Sequence, residues 1–228
     1  MDTQVAHKTA TDHLLQPVGF KVEDWPAFNA AIEQAAELFG RMLGKFFTGE
    51  VLVEVSDIGT GKAGNLAEAD QSYVTNVIMA QQWDAKLLVG MSRSSALSIT
   101  EMFLGGSGSP DGVAVDRGCT AVELKTAGLM FRHLAAVLQS SFAPIADPRM
   151  EPGLCLDEVM VDDLGGPAEP VVVVRLACGI MEQRIELFIA VAQKTLLAVG
   201  DPLRAVAADP TEASDPKWSE HFDRQFRR

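Results

Sequence analysis

Two stretches of this chain carry the same order of elements, and no other feature narrows the fold as far. Apolar Phe28, Ile32, Ala35, Ala36, Phe39, Leu43, Phe46 and Phe47 recur mostly every three or four residues. That spacing predicts a long amphipathic helix over 27–47, opened by Asp24-Trp25-Pro26. Val51, Val53 and Val55 alternate with Leu52, Glu54 and Ser56, which predicts a strand over 51–58, and 73–80 and 86–91 are two more short β-prone runs. A serine-rich start followed by Ala96, Leu97, Ile99, Met102, Phe103 and Leu104 predicts a helix over 94–104, ended by the breaker Gly105-Gly106-Ser107-Gly108-Ser109-Pro110. The second half repeats the order, with a helix over 120–141, strands over 154–161, 170–177 and 184–191, and a helix from 193 to about 203.

An α-β-β-β-α unit that occurs twice, offset by roughly 95 residues, is too long for a solenoid repeat and too few for a propeller. It predicts one α/β domain in which two duplicated halves pack about a pseudo-twofold axis. Each half, at about 80 to 90 residues, would be marginal alone, and pairing the halves buries the faces left open. The expected organisation is an N-terminal arm over 1–24, the duplicated domain over 25–204, and a linker with a short C-terminal helix over 205–228. Trp218, Phe222 and Phe226 fall at steps of four on one face of that last helix.

Charge then limits the partners. Lys and Arg number 19 against 31 Asp and Glu, a formal charge of −12, and such a chain repels the phosphates on which nucleic-acid affinity is built. The expected partner is protein. Cys119, Cys155 and Cys178 contain no Cys-x-x-Cys pair and read as buried thiols of a cytoplasmic protein. Met1 to Gln16 lacks the apolar core of a signal peptide, and the longest apolar stretches are broken by Arg175 and by Gln193-Lys194. Neither export by a signal peptide nor a membrane span is expected.

Few residues suggest chemistry. Gly59-Thr60-Gly61-Lys62-Ala63-Gly64 matches G-x-G-x-x-G after a predicted strand, but residues 65–71 leave no room for the crossover helix that presents its N-terminus to a pyrophosphate. Ser56 and Ala63 stand where a P-loop needs Gly and Ser or Thr. The expectation is a flexible loop between strands, and a small-molecule sensor would rest on these residues alone. Of His7, His13, His133 and His221, only His133 lies in a predicted core element, with no Cys or second His beside it. No metal site, cofactor or catalytic residue is expected. Gly105, Gly106, Ser107 and Gly108 remain: a single Gly would cap the preceding helix, and three in four positions expose backbone that a partner could approach closely. Capping and recognition both suit them.

The run from Ile99 to Gly108, continued through Asp116-Arg117-Gly118-Cys119-Thr120-Ala121-Val122-Glu123, resembles the middle domain of the flagellar motor switch protein FliM. That family carries a helix ending in a Phe-Gly-Gly-x-Gly-like loop, then an Arg, a Thr and a Glu that open the next helix. Its duplicated α/β fold is shared with the CheC and CheX chemotaxis phosphatases. The resemblance covers about Trp25 to Leu203 and is specific over 99–123. It implies a scaffold of the switch ring, self-associating at the flagellar basal body on the inner face of the cell membrane. Such a scaffold stands between FliG and phosphorylated CheY, with the FliG-binding loop mapped onto Gly105, Gly106, Ser107 and Gly108. Leu104 occupies the place of the family's Phe, and Phe103 lies one residue earlier. The family's CheY-capturing segment has its nearest match in Asp12, Leu14 and Leu15. Family members continue into a β-rich domain that pairs with FliN, and this chain ends at Arg228, where that domain would follow.

The phosphatase relatives orient an attacking water with a Glu and an Asn three residues apart on one helix face. Here Glu33, Glu37 and Glu123 are followed at that distance by Ala36, Gly40 and Thr126, and the only asparagines are Asn29, Asn65 and Asn76. The resemblance therefore implies a binding scaffold rather than an enzyme. A bulky residue at Gly106 is expected to leave folding intact and weaken FliG binding.

Overall fold

A computed structural model describes residues 21–47, 49–68, 72–108 and 117–205. The arm up to residue 20, with Asp12, Leu14 and Leu15, and the C-terminal helix expected around Trp218, Phe222 and Phe226 lie outside the described residues. The first half contains helix α1 (Pro26–Leu43), strand β1 (Val51–Lys62), a single turn α2 (Gly64–Ala67), strands β2 (Tyr73–Ala80) and β3 (Ala85–Ser92), and helix α3 (Arg93–Phe103). The second contains α4 (Ala121–Ala146), β4 (Met150–Leu156), β5 (Pro170–Ile180), β6 (Gln183–Ala192) and two short helices, α5 (Gln193–Val199) and α6 (Asp201–Arg204). The fold is α/β.

The strands form one six-stranded sheet in the order β1-β5-β6-β3-β2-β4, and every neighbouring pair is antiparallel. Exchanging β1 with β4, β2 with β5 and β3 with β6 turns this order into its own reverse. Equivalent strands of two like halves therefore occupy equivalent places. Neither half keeps its own first strand: β1 pairs with β5 of the second half, and β4 pairs with β2 of the first. The contacts that complete the sheet thus join residues distant in sequence, as in Val51 opposite Ile180 and Ala80 opposite Met150.

Both faces of the central strands are apolar. Val172, Val174, Leu176, Leu187, Ile189, Leu87 and Val89 face the larger core, where α1, α3 and α4 cover them with Phe28, Ile32, Phe39, Ile99, Phe131 and Phe142. Leu88, Val171, Phe188 and Ala190 face the other way and are covered by Ala63, Leu66 and Leu164. Those covers come from the β1–β2 and β4–β5 connections, which are joined where the Gly64 N–H donates to the Pro167 carbonyl over 2.9 Å. Ion pairs Lys86–Asp163 at 2.5 Å and Lys194–Glu169 at 3.0 Å tie the second connection to β3 and α5. At the ends of the domain, the Arg204 guanidinium lies 4.5 Å from the ring centre of buried Trp25, so the first and last described elements close on each other.

Several boundaries differ from the sequence expectation, each for a tertiary reason. The predicted flexible loop at Gly59-Thr60-Gly61 is strand: these residues pair with Val173, Val172 and Val171, a run with high strand preference on the partner side. A register shift between Val55 and Asp57 marks a bulge that turns the strand there. The fourth strand is Met150–Leu156 rather than 154–161, because an edge position tolerates Pro152 and leaves Val159–Val161 free to pack on the sheet's second face. The last helix is broken at Gly200, whose φ of 68° interrupts it.

Gly90 shows how closely the second face is packed. It sits opposite Phe188 on β6, and a Cβ placed on it would lie 2.5 Å from ring atoms of Phe188 and 3.1 Å from the Thr75 methyl. The ring also meets Tyr73 edge-on at 5.3 Å, so it cannot withdraw without losing that contact. Gly90→Ala is expected to lower stability by roughly 1–3 kcal/mol in urea unfolding. An unchanged midpoint would show that Phe188 has room to shift.

Candidate functional site

Helix α3 begins at Ser92, whose hydroxyl accepts the Ser95 N–H over 3.1 Å, and buries Ala96, Ile99 and Met102 in the core. At its other end the Gly105 N–H donates to the Met102 carbonyl over 3.0 Å and the Gly106 N–H donates to the Glu101 carbonyl over 2.9 Å. With Gly105 at φ +88° these bonds make a Schellman stop, the turn that satisfies the last helical carbonyls. Gly106 lies beneath the Glu101 side chain, since a Cβ there would be 2.6 Å from Glu101 Cγ. Gly108, at φ +75°, is buried, and a Cβ on it would be 2.7 Å from Met102 Cγ and 3.0 Å from Gln183 Cγ.

The three glycines thus have three different structural duties, and the exposed members of the turn are Leu104, Gly105 and Ser107. A bulky residue at Gly106 meets the Glu101 side chain, which must move aside to admit it. Leu104, at the tip of the helix, is 78 % exposed. Phe103 packs against Phe47 and Phe46 with ring centres at 4.9 and 5.9 Å, and Phe46, itself 44 % exposed, reaches His133 at 5.2 Å. The β5–β6 turn, held against Gly108 through Gln183, carries Met181 at 47 % exposure. One end of the domain therefore presents Phe46, Leu104 and Met181 around a rigid glycine turn.

The chain re-enters the described fold at Arg117, and here the Arg, Thr and Glu of the motif act together. Arg117 donates from both terminal nitrogens to Glu123, at 2.8 and 2.5 Å, and the Glu123 carboxylate also accepts the Thr120 N–H over 2.6 Å. The Thr120 hydroxyl accepts the Glu123 N–H over 3.4 Å, which completes a capping box at the start of α4. Glu123 is buried, and the Arg117 guanidinium holds its carboxyl down at about 2. Beside it the Asp157 carboxylate accepts the Cys119 N–H over 2.8 Å and Arg93 Nε over 2.5 Å. Sequence reasoning missed Arg93 and Asp157, which are 64 positions apart and carry no local pattern.

Burial pushes the Cys119 thiol up to about 11 and the Cys155 and Cys178 thiols up to about 12, so all three stay protonated near neutrality. Among the described residues no group of three or more His, Cys, Asp or Glu is placed to hold a metal ion, and no helix is long and apolar enough to cross a membrane. The asparagines lie apart, Asn29 on α1, Asn65 on α2, where it precedes Glu68, and Asn76 buried on β2.

The domain has a FliM middle-domain-like fold. A FliM chain in the crystal structure of a FliG-FliM complex from H. pylori superposes with a TM-score of 0.71 at 15 % identity, covering 79 % of this chain and 98 % of that one. The FliM middle domain from Vibrio alginolyticus gives 0.67 at 13 % identity over 78 % and 99 %, and Thermotoga maritima FliY gives 0.63 at 13 % identity over 84 % and 100 %. At these identities the likeness is one of fold. No family model and no curated protein matches the chain by sequence.

Glu123→Gln is expected to cost roughly 1.5–3 kcal/mol at neutral pH, because a charge-assisted pair in a buried position is lost. The depressed carboxyl binds its proton less tightly folded than unfolded, so its stabilisation is complete above the ordinary 4.5 and lost as pH falls towards about 2. Urea unfolding across that window should show the two proteins converging; a constant gap would contradict the Arg117–Glu123 account.

Proposed function

We propose that this chain is a scaffold of the flagellar motor switch that binds FliG through the turn Gly105, Gly106, Ser107 and Gly108 and the apolar residues around it. The observation that carries the reading is the exposed Leu104 at the head of a stiff glycine turn, bordered by Phe46 and Met181, on a FliM-like fold. An apolar patch with fixed backbone suits a protein partner, because little conformational freedom remains to be lost on binding. The H. pylori relative in complex with FliG supports the choice of partner. The domain of this scaffold is taken as 25–204, with an arm before it and a linker and short helix after it. It acts in the cytoplasm, at the flagellar basal body on the inner face of the cell membrane, self-associated in a ring.

In that setting the scaffold helps set rotation direction in response to phosphorylated CheY. The arm containing Asp12, Leu14 and Leu15 is its candidate capture segment, and FliN is a further candidate partner. The net charge of −12 supports protein rather than nucleic-acid partners. The scaffold works without a cofactor and without catalysis, a reading supported by the absence of a Glu followed three residues on by Asn in any helix of the sequence.

Leu104→Asp is expected to weaken FliG binding at least tenfold in calorimetric titration, about 1.4 kcal/mol, and to leave the thermal midpoint unchanged, since the side chain is already exposed. Undiminished affinity would remove this surface from the interface. Added to phosphorylated CheY, the protein should leave the rate of phosphate loss at its intrinsic value; acceleration well above that rate would make it a phosphatase.

A further inference from the structure

The two ends of the connection between α3 and α4 are held by different means. At the first end, the Schellman bonds and the burial of Gly108 against Met102 and Gln183 fix Gly105 to Gly108. At the second end Glu123 holds Arg117 and Thr120 to α4, and Asp157 makes the tie that leaves this segment. Asp157, just beyond β4, accepts Arg93 Nε on one oxygen and the Cys119 N–H on the other, and its backbone carbonyl lies 3.4 Å from a terminal nitrogen of Arg93. Arg93 is the first residue of α3, and Cys119 stands two residues before the first of α4. Gly118 passes so close that a Cβ there would be 3.2 Å from Asp157 Oδ2. A single side chain on the sheet edge therefore ties the start of the helix that carries the glycine turn to the point where the chain returns from it.

We propose that Asp157 is a positioning residue for the partner-binding turn: by joining Arg93 to the Cys119 amide it fixes the start of α3 and the return end of the α3–α4 connection, and so sets the geometry in which Leu104, Gly105 and Ser107 are presented. This rests on the reading of that turn as the FliG surface. Arg117 and Glu123 serve the start of α4 alone, since their bonds stay within residues 117–123. Asp157 is the group that reaches across to α3. Preorganised ends lower the ordering cost of binding, so loss of the tie weakens affinity although Asp157 itself need not touch the partner.

The test uses the full chain with Asp157→Ala, which removes both side-chain acceptors, and Asp157→Asn, which keeps the shape and one acceptor. Amide hydrogen exchange is read at Cys119 and over Gly105–Gly108, with Ile189 in the central sheet as internal reference, and FliG affinity is read by titration. The account expects faster exchange at Cys119 and at the glycine turn, unchanged exchange at Ile189, and a 3- to 10-fold loss of affinity in Asp157→Ala that is partly restored in Asp157→Asn. Should Asp157→Ala not fold, Asp157→Asn carries the test, with intermediate effects in both readouts expected. Faster exchange at Cys119 with wild-type exchange at Gly105–Gly108 overturns the inference, as does wild-type affinity in Asp157→Ala. If the unaltered chain does not bind FliG, the partner reading fails; exchange at the glycine turn then decides the positioning role, quickened supporting it and unchanged refuting it.

Discussion

Everything in this fold depends on the exchange of first strands between its two halves. With β1 on β5 and β4 on β2, neither half can close a sheet without the other, and the central pair β3 and β6 is buried on both sides. A sheet apolar on both faces needs two covers. The long helices α1 and α4, with α3, supply one, and the two short connections that meet at Gly64 and Pro167 supply the other. Because β1 starts opposite the end of β5, the end of α1 and the β5–β6 turn fall at the same end of the sheet. The tip of α3 joins them there through Gly108 and Gln183. The candidate binding surface is thus a consequence of the sheet order: residues 46, 104 and 181 are distant in sequence and gathered by topology.

That gathering also decides what could be read in the sequence. Helices α1, α3 and α4 and strands β2, β3, β5 and β6 follow from periods of 3.6 and 2, because each is amphipathic or apolar within its own length. The duplicated order was legible for the same reason. Which strand pairs with which was not, since Val51 opposite Ile180 leaves no local trace. Gly59 and Gly61 read as loop because their own preferences are those of a breaker, and only the valines of β5 make them strand. Pro152 and Gly153 hid β4 in the same way, and their edge position explains why they are tolerated.

The candidate site was legible in part. The glycine turn and the Arg117, Thr120 and Glu123 set stand in one stretch of sequence, and Thr120-x-x-Glu123 is the pattern of a capping box. What the sequence could not show was how the glycines are used: Gly105 stops the helix, Gly106 and Gly108 admit Glu101 and Met102, and Leu104 faces outward. Phe46, Met181, Arg93 and Asp157 carry no motif, and only tertiary contacts of their own or of their neighbours assign them to this region.

The central claim is that this end of the domain is the partner face. The most direct measurement is a map of backbone and methyl NMR shifts in the intact chain as FliG is added. The account predicts perturbations gathered at Phe46, Leu104 to Gly108 and Met181, falling away towards the opposite end at Trp83 and Leu197. Perturbations centred on Trp83 and Leu197, or none at saturating FliG, would contradict it.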